Sequence, residues 1–116
     1  MEQRLFGTNG VRGVINQDMN VQLAMDLGKA IGTFMGGRVA IGNDPRTSAD
    51  MIKSAVSCGL MAAGAEVIDI GMVPTPVVQF YVKENALSGG VMITASHNPP
   101  EFNGIKCVDS DGTEMP

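Results

Sequence analysis

The sequence predicts an α/β domain in three layers, helix–sheet–helix, around a mostly parallel, four-stranded mixed sheet. Two observations carry this. Short β-branched or apolar stretches bounded by Gly alternate with longer stretches of helical period, the signature of βαβ units. Hydrophobic residues make up 44% of the chain beside 15 glycines, enough for a core with many tight turns.

Three helices follow from the periodicity. The first is capped by Asn20 and runs to about Met35, with Val21, Ala24, Leu27, Ile31 and Phe34 on one face. Gly36-Gly37 stops it. The second follows Ser48 and ends at Gly64. Its face of Ile52, Ala55, Val56, Gly59 and Ala63 is narrow and suits close packing on a sheet. The third starts at "PTP", where Thr75 can cap and Pro76 fits the first helical position; Val77, Val78, Tyr81 and Val82 share a face. The strands are "RVAIG" (38–42), "EVIDIG" (66–71) and "GVMITA" (90–95), with "IKCVD" (105–109) returning antiparallel. In open α/β sheets ligands bind beyond the carboxyl ends of the strands. The Pro-containing loops "GNDPR", "GMVPTP" and "SHNPPEFNG" therefore fall on one edge, the candidate site.

Composition narrows the function. The 116 residues suit one domain, residues 1–116. Net charge is −4, which argues against a nucleic-acid surface but not against a local anion site. Cys58 and Cys107 have no metal-type spacing and read as reduced thiols. With no signal-type h-region and no membrane-length apolar run, the expectation is a soluble, cytoplasmic protein with no nucleic-acid or membrane partner. The chain stops at Pro116 shortly after a turn, which reads as a piece of a longer polypeptide.

The chemistry concentrates in "TASHNPPEFNGIK" (94–106). Ser96 directly follows a strand, Asn98 and Pro99 each precede a proline, Asn103-Gly104 supplies a turn, and Lys106 returns on the next strand. A serine hydrolase fits poorly: GxSxG is missing, and the only histidine, His97, adjoins the serine. A metal site of this chain's own fits worse, with one His and no clustered carboxylates. Phosphate handling fits the residue types, because phosphoryl transfer needs positioning and charge neutralisation more than a strong base. Spacing alone leaves a turn-rich surface loop equally open.

Three stretches in order resemble the α-D-phosphohexomutases, the phosphoglucomutase/phosphomannomutase family. They are "FGTNGVRG" (6–13), "GNDPRTS" (42–48) and "TASHNPPEFNGIK". The resemblance covers nearly the whole chain and implies the first, catalytic-serine domain of a four-domain enzyme. It implies that Ser96 carries a phosphoryl group between the C1 and C6 oxygens of a hexose phosphate through a bisphosphate intermediate, an intramolecular phosphotransfer. His97, Lys106 and Arg12 would border that phosphate; Asn98, Thr8 and Asn9 would lie near phosphate or substrate. Mg2+ would be held through the phosphate on Ser96, its other ligands lying in another domain, and a hexose 1,6-bisphosphate would act as activator. The isolated domain would then be inactive or nearly so, its partners being the sugar phosphate and the remaining domains. Asp44 and Arg46 read as a structural pair tying the first strand's loop to the edge. Asn9 stands where relatives often carry Asp or Tyr. The "PPEFNGIK" ending resembles the phosphoglucomutase/phosphomannomutase and archaeal-type branches more than bacterial phosphoglucosamine mutases, which leaves the sugar open. The reading from another class is a non-catalytic α/β module that binds a phosphorylated ligand in the same loop.

Overall fold

The computed structural model describes residues 11–14, 20–45, 49–94 and 102–115. Among them are eight elements: β1 (Val11–Val14), α1 (Val21–Met35), β2 (Arg38–Asn43), α2 (Ala49–Ala62), β3 (Glu66–Met72), α3 (Thr75–Glu84), β4 (Gly89–Ile93) and β5 (Phe102–Val108). The strands form one sheet in the order β1-β5-β4-β2-β3. β2 pairs in parallel with β3 and β4, while β5 is antiparallel to β4 and β1. Four strands thus run one way and β5 runs against them. The expected class holds, with one addition: β1, from the "VRGV" of the first motif, makes a fifth, edge strand.

Connection handedness explains the layers. A crossover between parallel strands is right-handed, so its direction along the sheet decides which face its helix covers. The steps β1 to β2 and β2 to β3 go one way, and β3 to β4 goes back. Accordingly α1 and α2 pack with Val39, Ile41, Val91, Ile93 and Ile105, and α3 packs with Ala40, Met92 and Val108 on the other face. β2 is buried at five of its six positions, as a central strand covered on both faces must be.

Asn20 caps α1, its Oδ1 accepting from Leu23 N at 2.8 Å. Gly36 ends the helix at φ 65°, a left-handed conformation that glycine adopts without steric cost. Phe34, expected on the buried face, is 73% exposed; in that last turn it is Met35 that packs against the core, reaching Gly89 of β4. The third helix also differs from expectation. Thr75 already lies inside it, and Pro74 (φ −74°, ψ 158°) is the N-cap, with no side-chain cap bond. Pro76 is tolerated because the first-turn N–H groups have no intrahelical partner in any case.

The small face of α2 meets a helix as well as the sheet. Gly59 faces α1 so closely that an added Cβ would collide with the Met25 carbonyl and lie 2.7 Å from Lys29 N. A Cβ at Gly28 would collide with the Val56 carbonyl and sit 3.1 Å from Gly59 Cα. The two helices therefore touch backbone to backbone.

Candidate active site

Because β2, β3 and β4 are parallel, their carboxyl ends share one edge. Three loops leave there, after Asn43, Met72 and Ile93, as the sequence predicts. Antiparallel β5 begins at the same edge, and its Phe102 pairs with Val14 at the end of β1. The edge is thus the meeting point of all five strands.

Its described part is held by polar side chains. Asn43, 3% exposed at the end of β2, donates from Nδ2 to the Asp44 carbonyl at 2.9 Å. Its Oδ1 accepts from Lys53 Nζ of α2 at 2.7 Å. Its carbonyl accepts from Val73 N at 3.0 Å, tying down the loop before α3. Lys53 Nζ also donates to Asp69 Oδ1 on β3 at 3.0 Å. That carboxylate caps a bulge: Ile41 pairs with Asp69 but Gly42 with Gly71, and Gly71 N donates to Asp69 Oδ1 at 2.8 Å. Gly71 takes φ 83°, which a residue with a Cβ resists. One step past the end of β4, Thr94 Oγ1 donates to Asp44 Oδ2 at 2.8 Å.

The expected site residues fall into two sets. Ser96, His97, Asn98, Thr8 and Asn9 lie outside the described residues, as does Arg46, so the expected Asp44–Arg46 pair does too. Arg12 lies in β1, paired in register with Gly104. Gly104 O in turn accepts from Thr94 N at 2.9 Å, so Arg12's position on β1 and the root of the Ser96 loop lie on either side of one residue of β5. Lys106 is two residues further along β5, opposite Met92, with its side chain 13% exposed. Its Nζ lies 3.9 Å from Glu114 Oε2, a carboxylate the sequence reading did not connect to it. Among the described residues no three His, Cys, Asp or Glu side chains gather as metal ligands. The described residues therefore do not by themselves build a magnesium site. Sequence reading missed Asn43, Lys53 and Asp69. The sequence signs of the cluster are Asn43 and Asp44 inside "GNDPRTS" and a lysine on the helix that follows it.

A three-layer α/β/α domain with loops gathered at the carboxyl edge of its sheet defines the class. The particular family follows from comparison. Residues 3–116 match the family described as phosphoglucomutase/phosphomannomutase, alpha/beta/alpha domain I, and the chain belongs to that family. It is 50% identical over 114 residues to the phosphoglucosamine/phosphogalactosamine mutase of Sulfurisphaera tokodaii, covering 97% of this chain and 25% of that protein. It is 47% identical over 119 residues to the phosphoglucosamine mutase of a Thermoanaerobacter species, covering 97% of this chain and 26% of the relative. A crystal structure of a phosphoglucomutase/phosphomannomutase family protein from Burkholderia thailandensis superposes with a TM-score of 0.86 at 32% identity, over 99% of this chain and 28% of that one. The chain thus spans about a quarter of the length of the curated relatives it matches. No helix among the described residues is long and apolar enough to cross a membrane.

Proposed function

We propose that this chain is the phosphoryl-carrying domain of a hexosamine-phosphate mutase. One observation carries the reading: the family match runs through the "TASHNPPEFNGIK" loop, and that loop departs from the carboxyl edge where the sheet gathers its polar groups. The relatives' names favour an aminosugar, a refinement over the open choice of sugar in the sequence.

In this reading phosphoserine 96 gives its phosphoryl group to a free hydroxyl of a hexosamine monophosphate. The Ser96 Oγ–P bond breaks as a new O–P bond forms to the sugar. The hydroxyl's proton ends on Ser96 Oγ, with His97 beside it as relay. The bisphosphate turns round, and the reverse step returns the other phosphoryl group to Ser96. A phosphoserine carries roughly −1.5 to −2 charge at pH 7, so cationic neighbours favour it. Arg12 suits that role through its planar fork, and Lys106 as a point charge. Mg2+ would add further neutralisation, with its protein ligands in another domain. By itself the chain does not turn substrate over, because sugar and distal-phosphate contacts come from the rest of a polypeptide of the relatives' length.

The test uses the full-length polypeptide and radiolabelled bisphosphates of glucosamine, glucose and mannose. The label is expected on Ser96, fastest from the glucosamine compound, and absent from Ser96→Ala. A label elsewhere, or full turnover by Ser96→Ala, overturns the assignment.

A further inference from the structure

The hydrogen-bond rungs of the β2–β4 pair end at Asn43 and Ile93, and Asp44 N to Ile93 O at 3.1 Å adds one more. Past that point no further backbone rung joins the two strands among the described residues. What continues is a line of side chains: Asp69 accepts from Lys53, Lys53 donates to Asn43, Asn43 donates to the Asp44 carbonyl, and the Asp44 carboxylate accepts from Thr94. Thr94 N then closes onto Gly104 O of β5. The line crosses the edge from β3 to β5 and ends two residues before Ser96.

Several features separate this from a surface ion pair. Asn43 and Thr94 are only 3% and 5% exposed, so an unmet polar atom there would carry its full desolvation penalty. The Lys53 side chain is 14% exposed and reaches two acceptors on two strands. Connected buried polar groups favour one geometry over near alternatives. They stand where backbone rungs stop and a loop begins, the place where the direction of the departing chain needs fixing.

We propose that Lys53, Asn43, Asp44 and Thr94 act as positioning residues that aim the loop leaving Thr94, and through it Ser96, at the substrate. This rests on the reading of Ser96 as the phosphoryl carrier. None of the four need touch substrate. Their effect is on geometry, and a misplacement of about 1 Å in a reacting group can cost on the order of 10²-fold in rate.

The test compares Thr94→Val, Thr94→Ser, Lys53→Met and the Thr94→Val/Lys53→Met double variant in the full-length enzyme. kcat and KM are read beside the melting temperature. Thr94→Val keeps the shape and removes the hydroxyl; it is expected to lower kcat about 10- to 100-fold with KM little changed. Thr94→Ser restores the donor and most of kcat. Lys53→Met lowers kcat on the order of tenfold, and the double variant falls by less than the product of the singles, because both act on one line. Four results would overturn the proposal: wild-type kcat per folded molecule in Thr94→Val, equal impairment of Thr94→Ser and Thr94→Val, wild-type kcat in Lys53→Met, or independent effects in the double variant. If Thr94→Val does not fold, Thr94→Ser and Lys53→Met decide it: wild-type kcat in Lys53→Met overturns it, and a lowered kcat there with Thr94→Ser near wild type supports it. Ser96→Ala separates the two readings. Full turnover by Ser96→Ala sinks the phosphoryl-carrier assignment. An inactive Ser96→Ala beside a fully active Thr94→Val sinks only the positioning line.

Discussion

The α1–α2 seam and the carboxyl edge are both closely fitted, by opposite means. The seam joins two helices through Gly28 and Gly59 with almost no side chain between them. The edge joins strands through Asp69, Lys53, Asn43, Asp44 and Thr94 with several polar atoms between them. Apolar contact is strong in sum but non-directional, so it holds the domain together without aiming anything. Hydrogen-bonded side chains add modest net stability but fix direction. The two regions divide the labour: damage to the seam should appear as lost stability, and damage to the edge as lost turnover.

The largest stability effect is expected at Gly59→Ala. The new methyl group meets the Met25 carbonyl and Lys29 N, both backbone, so the helices must part. Overpacking of this kind costs about 3 kcal/mol, at the upper end of its usual range, which lowers the melting temperature on the order of 10 °C for a domain of this size. An unchanged melting curve would mean that the seam is looser than its geometry. The edge offers the contrast: Lys53→Met should move kcat more than stability, and the reverse order of effects would break the division.

A second, smaller effect concerns Cys107, in the core on the seam's face of the sheet. Burial pushes its thiol up to about 12 from an ordinary 9.0. The folded state thus holds the proton more tightly than the unfolded chain. The associated stability is complete below about pH 9 and is lost as pH rises toward 12. Denaturation midpoints should therefore fall between pH 9 and 12 in the native sequence and fall less in Cys107→Ala. Parallel pH profiles would contradict the burial. The smallest effect is expected at Phe80, 65% exposed on α3. Phe80→Ser should change stability by less than about 0.5 kcal/mol, the range for surface substitutions. A larger loss, measured by chemical denaturation, would show that the thinner α3 face depends on it.

Much of the fold could be read from the sequence, because period and punctuation carry it. Asn20 and Gly36-Gly37 bracket α1 as read, and Gly-bounded apolar runs became β2, β3 and β4. β1 was not read because four residues, one of them Gly, carry too little alternation. Its strand character comes from β5, some 90 residues away in the register Val11 to Ile105. The small face of α2 reads from the sequence as packing on the sheet, but the contact of Gly59 with α1 is a matter of tertiary approach. The site divides in the same way. The motif residues were nameable because they sit together in sequence. Lys53, Asn43 and Asp69 meet only through the fold, 10 and 16 residues apart in their hydrogen bonds.

In the proposed function the edge delivers a phosphoryl group carried on Ser96. A pulse–chase on the full-length enzyme tests it most directly: a brief pulse of labelled glucosamine bisphosphate, then excess unlabelled sugar monophosphate, with quenched samples mapped to residue. The label is expected to appear on Ser96 and to pass to sugar at least as fast as kcat. Label that remains on Ser96 while turnover continues, or that never reaches Ser96, would rule out Ser96 as the phosphoryl carrier.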